Sequence, residues 1–145
     1  MEDYELDGLE RHFKKMRVLI ADDSSAMLHI LRSLLAKIGF ETIEVAKDGE
    51  KAWEILNGDS AVDLVFADLK MPRLSGIRLL AKLRASEKLR EIPFIIISSE
   101  AGTESILEAG RHNATAYIVK PFSIEKIVYV LKKIFASRFH WTVDG

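Results

Sequence analysis

Four apolar runs in this 145-residue chain each end in a residue able to do chemistry. Val18 to Ala21 leads into Asp22 and Asp23, and Leu64 to Ala67 leads into Asp68. Phe94 to Ile97 leads into Ser98, and Ala116 to Val119 leads into Lys120. Three carboxylates brought to one place repel, and a hard divalent cation resolves the repulsion. Mg²⁺ suits such a group, because it takes oxygen ligands in octahedral geometry with one or two direct carboxylates. Asp68 stands alone at its strand end and is the better placed nucleophile, since a carboxylate can accept a phosphoryl group. Lys120 and the metal can neutralise the transferring group, and the Ser98 hydroxyl can hydrogen-bond one of its oxygens. Taken alone, the Asp22–Asp23 pair reads as a helix N-cap in a solvated loop. Ser98 alone reads as an ordinary strand-end hydroxyl. Asp22, Asp23, Asp68 and Lys120 together favour a site.

The elements that must position these residues follow from periodicity. The short apolar runs suit buried strands. Met27, Ile30, Leu31, Leu34, Leu35 and Ile38 recur at helical spacing, and Gly39 after them suits a left-handed C-terminal position. "ETIEVAKDG" alternates and suits an edge strand. Asp48 can cap a helix over Gly49 to Leu56 with Ala52, Trp53 and Leu56 inward. "KMPRLSG" is a loop punctuated by Pro72 and Gly76, followed by a helix from about Ile77 to Ala85. A shorter helix carries Ile106, Leu107 and Ala109. Ser123 can cap a last helix with the stripe Ile124, Ile127, Val128, Leu131, Ile134 and Phe135. Strands alternating with helices predict a parallel α/β sheet covered on both faces, with right-handed crossovers. Ligands of such sheets bind outside the carboxyl ends of the strands, where the four functional positions fall. The alternating second strand lies at the edge, away from them.

Composition narrows the class. One domain is the expectation at this length, and 48% hydrophobic residues can build a core. Net charge is −1, from 21 basic and 22 acidic residues, which gives no electrostatic case for nucleic acid or membrane. There are no cysteines, which excludes disulfides and thiolate metal sites and fits a cytoplasmic location. No apolar run approaches a membrane span, and the opening "MEDYELDGLERHFKKM" lacks the apolar core of a signal peptide. His12, His29, His112 and His140 lack metal-ligand spacing.

The pieces "ADDS", "DLKMPRLSG", "IIISSE" and "AYIVKPF", in this order at successive strand ends, resemble response-regulator receiver domains of the single-domain, CheY-like, chemotaxis kind. The resemblance covers roughly Met16 to Phe135. It implies a five-stranded flavodoxin-like sheet in order 2-1-3-4-5. It implies a phospho-acceptor switch of two-component signalling, with Asp68 as phosphoacceptor. Asp23 resembles the direct Mg²⁺ ligand, Asp22 acts through water, and the Lys70 carbonyl resembles a further ligand. Lys120 is similar to the phosphoryl-binding lysine, whose bond to Pro121 is cis in the family. Ser98 and Tyr117 take the places of the switch hydroxyl and the switch aromatic. Phosphorylation by a histidine kinase or a small phosphodonor would remodel the face made by the fourth helix, fifth strand and fifth helix of the alternating set, for an output protein. Lys70 and Glu100 occupy positions that tune phosphoryl lifetime. Asn113 stands where the family usually has Gly, and Asn tolerates the left-handed region best among other residues.

The expected layout is an N-terminal extension over 1–15, a receiver domain over 16–136 and a tail over 137–145. Leu6, Leu9 and Phe13 predict a short amphipathic helix, about Asp3 to Lys14, packed on its own domain or on a second copy. A monomer or weak dimer is expected, with no separate substrate turnover. Two other classes compete. A haloacid-dehalogenase-like phosphatase also uses an Asp nucleophile and Mg²⁺, but it resembles a D-x-D pattern after the first strand. That slot here reads "ADDSS", and a substrate cap is not found. A pseudo-receiver adaptor is disfavoured by the complete set Asp22, Asp23, Asp68, Ser98 and Lys120.

Overall fold

The computed structural model describes residues 6–136. Its elements are α1 (Glu10–Phe13), β1 (Arg17–Ala21), α2 (Ser25–Ile38), β2 (Thr42–Ala46), α3 (Gly49–Leu56), β3 (Leu64–Ala67), α4 (Gly76–Ala85), β4 (Phe94–Ser98), α5 (Thr103–Arg111), β5 (Ala116–Val119) and α6 (Ile124–Phe135). The five strands form one sheet in order β2-β1-β3-β4-β5, every pairing parallel. Edge strand β2 is the alternating segment, only partly buried, as its pattern predicts. The central strands β1, β3 and β4 are buried almost throughout, which their continuous apolar runs require.

Alternation within the strands splits the core in two. Val18, Ile20, Phe66, Ile95 and Ile97 face α1, α2 and α6. Leu19, Ala21, Val65, Ala67, Phe94 and Ile96 face α3, α4 and α5. Side-chain caps set the helix starts: Ser24, Asp48, Ser75 and Ser123 each accept the amide of the residue three positions on. Gly39 ends α2 at φ +132°, and Phe40 N–H donates to the Leu35 carbonyl at 3.0 Å. Asn113 adopts φ +65°, as expected of an Asn replacing Gly in a left-handed turn.

Two expectations, on α2 and at the N-terminal helix, need correction. Ile30, placed on the buried stripe of α2, is 46% exposed. The stripe that is buried runs through Leu28, Leu31, Leu35 and Ile38, with Leu34 partly buried at its margin, and Ile30 falls just beyond that edge. On α5, Ile106 and Leu107 face outward and Ala109 is the buried residue. The N-terminal helix is shorter than predicted. Asp7 and Gly8 take positive φ, 56° and 87°, so helix begins only at Glu10. Residues 1–5, and the tail with Phe139 and Trp141, lie outside the described residues.

The short helix packs on its own domain. Leu9 and Phe13 are fully buried. Phe13 stacks on Phe40 with centroids 4.5 Å apart and meets Phe135 edge-on at 6.0 Å. Asp7 pairs with Lys132 of α6 at 2.9 Å. Sequence pattern gave no sign of a second tie, at Arg84. Its guanidinium donates to the carbonyls of Arg90, Ile92 and Asn113 and to Thr115 Oγ1, fastening the end of α4 to the entrances of β4 and β5. Burial lowers the Arg84 pKa below the usual range. Phe13→Ala is expected to cost about 3–5 kcal/mol by urea unfolding, as for other buried aromatics. A cost within about 0.5 kcal/mol, typical of surface positions, would show that α1 is not part of the core.

Candidate functional site

Parallel pairing brings the ends of β1, β3, β4 and β5 to one edge. Asp68 N–H donates to the Ala21 carbonyl at 3.0 Å, which sets the end of β3 beside the Asp22–Asp23 pair. Lys120 N–H donates to the Ser98 carbonyl at 2.8 Å, which sets the end of β5 beside that of β4. The carboxylates of Asp22, Asp23 and Asp68 each offer an oxygen within 4.8 Å of the others.

Their environments differ. Asp22 is 3% exposed; one oxygen accepts Ser24 N–H at 2.9 Å and the other accepts Lys120 Nζ at 3.1 Å. Lys120 Nζ also donates to Asp68 Oδ2 at 3.4 Å, so one ammonium bridges two of the acids. Asp23 is exposed, at the rim. Beside it a groove is lined by Leu69, Lys70, Met71, Pro72 and Ser75, which places Lys70 next to the carboxylates. Burial raises the Asp68 pKa, Lys120 opposes that shift, and the Asp22 charge adds to it.

This cluster fits Mg²⁺. Its donors are all carboxylate oxygens, with no sulfur or imidazole among the three residues. One lysine offsets one carboxylate charge and leaves two negative charges, matching a divalent cation.

Ser98 is buried, and its hydroxyl accepts Glu100 N–H at 3.0 Å. Tyr117 is half-buried, and its hydroxyl donates to the Glu100 carbonyl at 2.7 Å. Lys70 Nζ lies 2.7 Å from Glu100 Oε2, and this bond raises the lysine pKa. Glu100 thus touches Ser98, Tyr117 and Lys70 at once, two of them through its backbone. Side-chain chemistry read from sequence singles out the carboxylate but not those backbone bonds. The Lys120–Pro121 bond is cis.

A family model described as the response regulator receiver domain matches residues 18–132, which hold every one of these groups. The chain belongs to the response regulator receiver domain family. Chemotaxis protein CheY-3 of Vibrio cholerae is 42% identical over 123 residues, 84% of this chain and 93% of that protein. Chemotaxis protein CheY1 of Helicobacter pylori is 36% identical, covering 74% of this chain and 87% of that protein. Among solved structures, the CheX–CheY–BeF3–Mg²⁺ complex from Borrelia burgdorferi is similar with a TM-score of 0.76 and 29% identity, over 83% of this chain and 89% of that one. CheY4 of Vibrio cholerae is similar with a TM-score of 0.75 and 25% identity, over 82% and 98% of the two chains. This is therefore a CheY-like receiver domain, which supports a phospho-acceptor role in two-component signalling. Among the described residues, no helix is long and apolar enough to cross a membrane.

The raised Asp68 pKa gives this receiver domain a pH signature. Folded Asp68 holds its proton to higher pH than the unfolded chain does. Its ionisation therefore weakens the metal-free fold as pH rises from about 3.9, the unfolded Asp value, through the raised folded value. Asp68→Asn removes this loss. In metal-free buffer, the urea midpoint of Asp68→Asn should exceed that of wild type, by a margin that grows from acid to neutral pH. A margin that is constant or shrinks would contradict the assigned burial.

Proposed function

We propose that this receiver domain is a phosphorylation switch in which Asp68 accepts a phosphoryl group from a histidine kinase or a small phosphodonor. An Asp68 oxygen attacks phosphorus, the new P–O bond forms, and the bond to the donor's nitrogen or oxygen breaks with its electron pair leaving on the donor. Asp22, Asp23, Asp68 and the Lys70 carbonyl would hold Mg²⁺, Asp22 through water, and the ion would supply positive charge to the transferring oxygens. Lys120 passes from Asp68 Oδ2 to a phosphoryl oxygen. The observation that carries this reading is the trio of carboxylates within 4.8 Å, two of them bridged by Lys120. A solved relative that carries Mg²⁺ and BeF3 in complex with CheX supports it.

The switch acts through Ser98 and Tyr117. Ser98 gives up Glu100 N–H to reach the phosphoryl group, and Tyr117 moves into the space released. The surface built from α5, β5 and α6 then changes shape for an output protein. That surface already exposes Leu107 at 53% and Tyr129 at 55%, large side chains with little to gain from facing water. Beside Tyr129, whose ring lies under the Lys126 ammonium, is a groove lined by Tyr117, Val119, Pro121, Phe122, Ser123 and Lys126.

The Lys70–Glu100 bridge sets how long the signal lasts. It is exposed and contributes little to stability. It stands at the mouth of the site, where hydrolytic water must approach in line with the Asp68–phosphorus bond, and it obstructs that approach.

Intact-mass spectrometry after incubation with acetyl phosphate and Mg²⁺ tests both parts. Wild type should gain one phosphoryl group and Asp68→Ala none; equal gain in the variant rejects Asp68. Followed in time, Lys70→Ala and Glu100→Ala should each lose the group faster than wild type, with the double variant little faster than either. Unchanged or slower loss in both single variants rejects the obstruction.

A further inference from the structure

The loop over residues 70–75 exposes Lys70, Pro72 and Arg73, buries Met71, and is fastened at several points. At its root, Gly76 N–H donates to the Leu69 carbonyl at 2.8 Å, and a Cβ on Gly76 would lie 2.1 Å from the Asp68 carbonyl oxygen. At its tip, a Cβ on Gly49 would lie 1.9 Å from the Leu74 carbonyl oxygen, so the tip rests on the N-terminus of α3. Between these points Leu74 N–H donates back to the Pro72 carbonyl at 2.7 Å, a tight turn.

Arg73 occupies the turn at φ +68°, a left-handed conformation that costs a non-glycine residue energy. Its Nη1 donates to Asp48 Oδ2 at 3.0 Å. Asp48 is itself immobilised, because its other oxygen accepts Lys51 N–H at 2.8 Å and caps α3. Its side chain is 17% exposed, against 60% for Arg73. Glycine would suit the backbone of residue 73 better, so what arginine adds there is the bond to Asp48. An exposed ion pair adds little to global stability. It can still fix a loop, and this loop carries Lys70, Met71, Pro72 and Ser75, which line the groove beside Asp23.

We propose that the Asp48–Arg73 ion pair is a latch that holds the 70–75 loop against the carboxylate cluster and thereby sets the affinity for Mg²⁺, a proposal that rests on the metal reading above. Arg73 and Asp48 are positioning residues: neither touches the metal. They anchor the backbone that presents the Lys70 carbonyl, and the anchor is the cap of a helix that follows the edge strand. Without the latch, the loop keeps its closure at the root and the packing of Leu74 on Gly49, but the turn at residue 73 loses its side-chain anchor and holds the Lys70 carbonyl less rigidly.

Calorimetric titration with Mg²⁺ tests the latch on wild type, Arg73→Gly, Arg73→Lys, Asp48→Asn and the Arg73→Gly/Asp48→Asn double variant. Arg73→Gly suits the backbone, and Asn keeps the helix cap, so both variants should fold. Each is expected to bind Mg²⁺ about tenfold more weakly, the lower end of what loss of an outer partner costs a metal site. The double variant should be no weaker than either single. Arg73→Lys should retain most of the affinity, because only one guanidinium nitrogen makes the bond. The Leu74 amide should exchange faster in Arg73→Gly than in wild type, while the Gly76 amide at the root should not. Wild-type affinity in Arg73→Gly overturns the latch, even if its urea midpoint falls, since that is what a purely structural role would give. Failure of wild type to bind Mg²⁺ overturns the metal reading and the latch with it.

Discussion

Like-charge repulsion at the carboxyl edge of the sheet is the constraint around which this domain is arranged. Asp22, Asp23 and Asp68 offer oxygens within 4.8 Å of one another, and Asp22 is buried. Such a cluster is costly unless each charge has a partner. Lys120 supplies part of the answer by bridging Asp22 and Asp68 from the end of β5. That solution requires β5 to sit two strands away from β3 with its end at the same edge, which the parallel order provides. The remaining negative charge fits a divalent cation. The apolar core pays the cost of this polar edge: β1, β3 and β4 are packed on both faces and cannot splay to separate the acids.

The same edge also carries a mechanical hub. Glu100 holds Ser98 through its amide, Tyr117 through its carbonyl and Lys70 through its carboxylate. Any ligand that competes for the Ser98 hydroxyl at the carboxylate cluster changes the bonding of the residue that restrains Tyr117. Tyr117 lies on β5 beside the groove that reaches Lys126 of α6, so a local change at the site has a short physical route to the outer surface. The route is two hydrogen bonds long, and its two ends are a buried hydroxyl and a half-buried ring.

Much of this was legible in the chain itself, for identifiable reasons. Continuous apolar runs marked β1, β3 and β4, and alternation marked β2 as the edge, because burial on two faces and on one face leave different patterns. Asp22, Asp23, Asp68, Ser98 and Lys120 stood out because each follows such a run directly. Ile30 misled because helical spacing fixes which residues share a face but not where the edge of that face falls. The extension was read as a short helix from about Asp3 to Lys14 because Leu6, Leu9 and Phe13 share a stripe, while Asp7 and Gly8 break the backbone between Leu6 and Leu9. Arg84 and the Asp48–Arg73 pair could not be read at all. Arg84 spends its guanidinium mainly on backbone carbonyls, and Asp48 and Arg73 are 25 residues apart with no pattern linking them.

The claim that the clustered carboxylates form a divalent-cation site is tested most directly by thermal unfolding with and without Mg²⁺, comparing wild type with Asp23→Asn. An ion that binds only the folded state stabilises by mass action, roughly 2.7 kcal/mol at a hundred times the dissociation constant. The account predicts that Mg²⁺ raises the wild-type melting temperature, and that Asp23→Asn melts higher than wild type without metal and gains much less from it. A wild type indifferent to Mg²⁺, or an Asp23→Asn protein that gains as much, would contradict it.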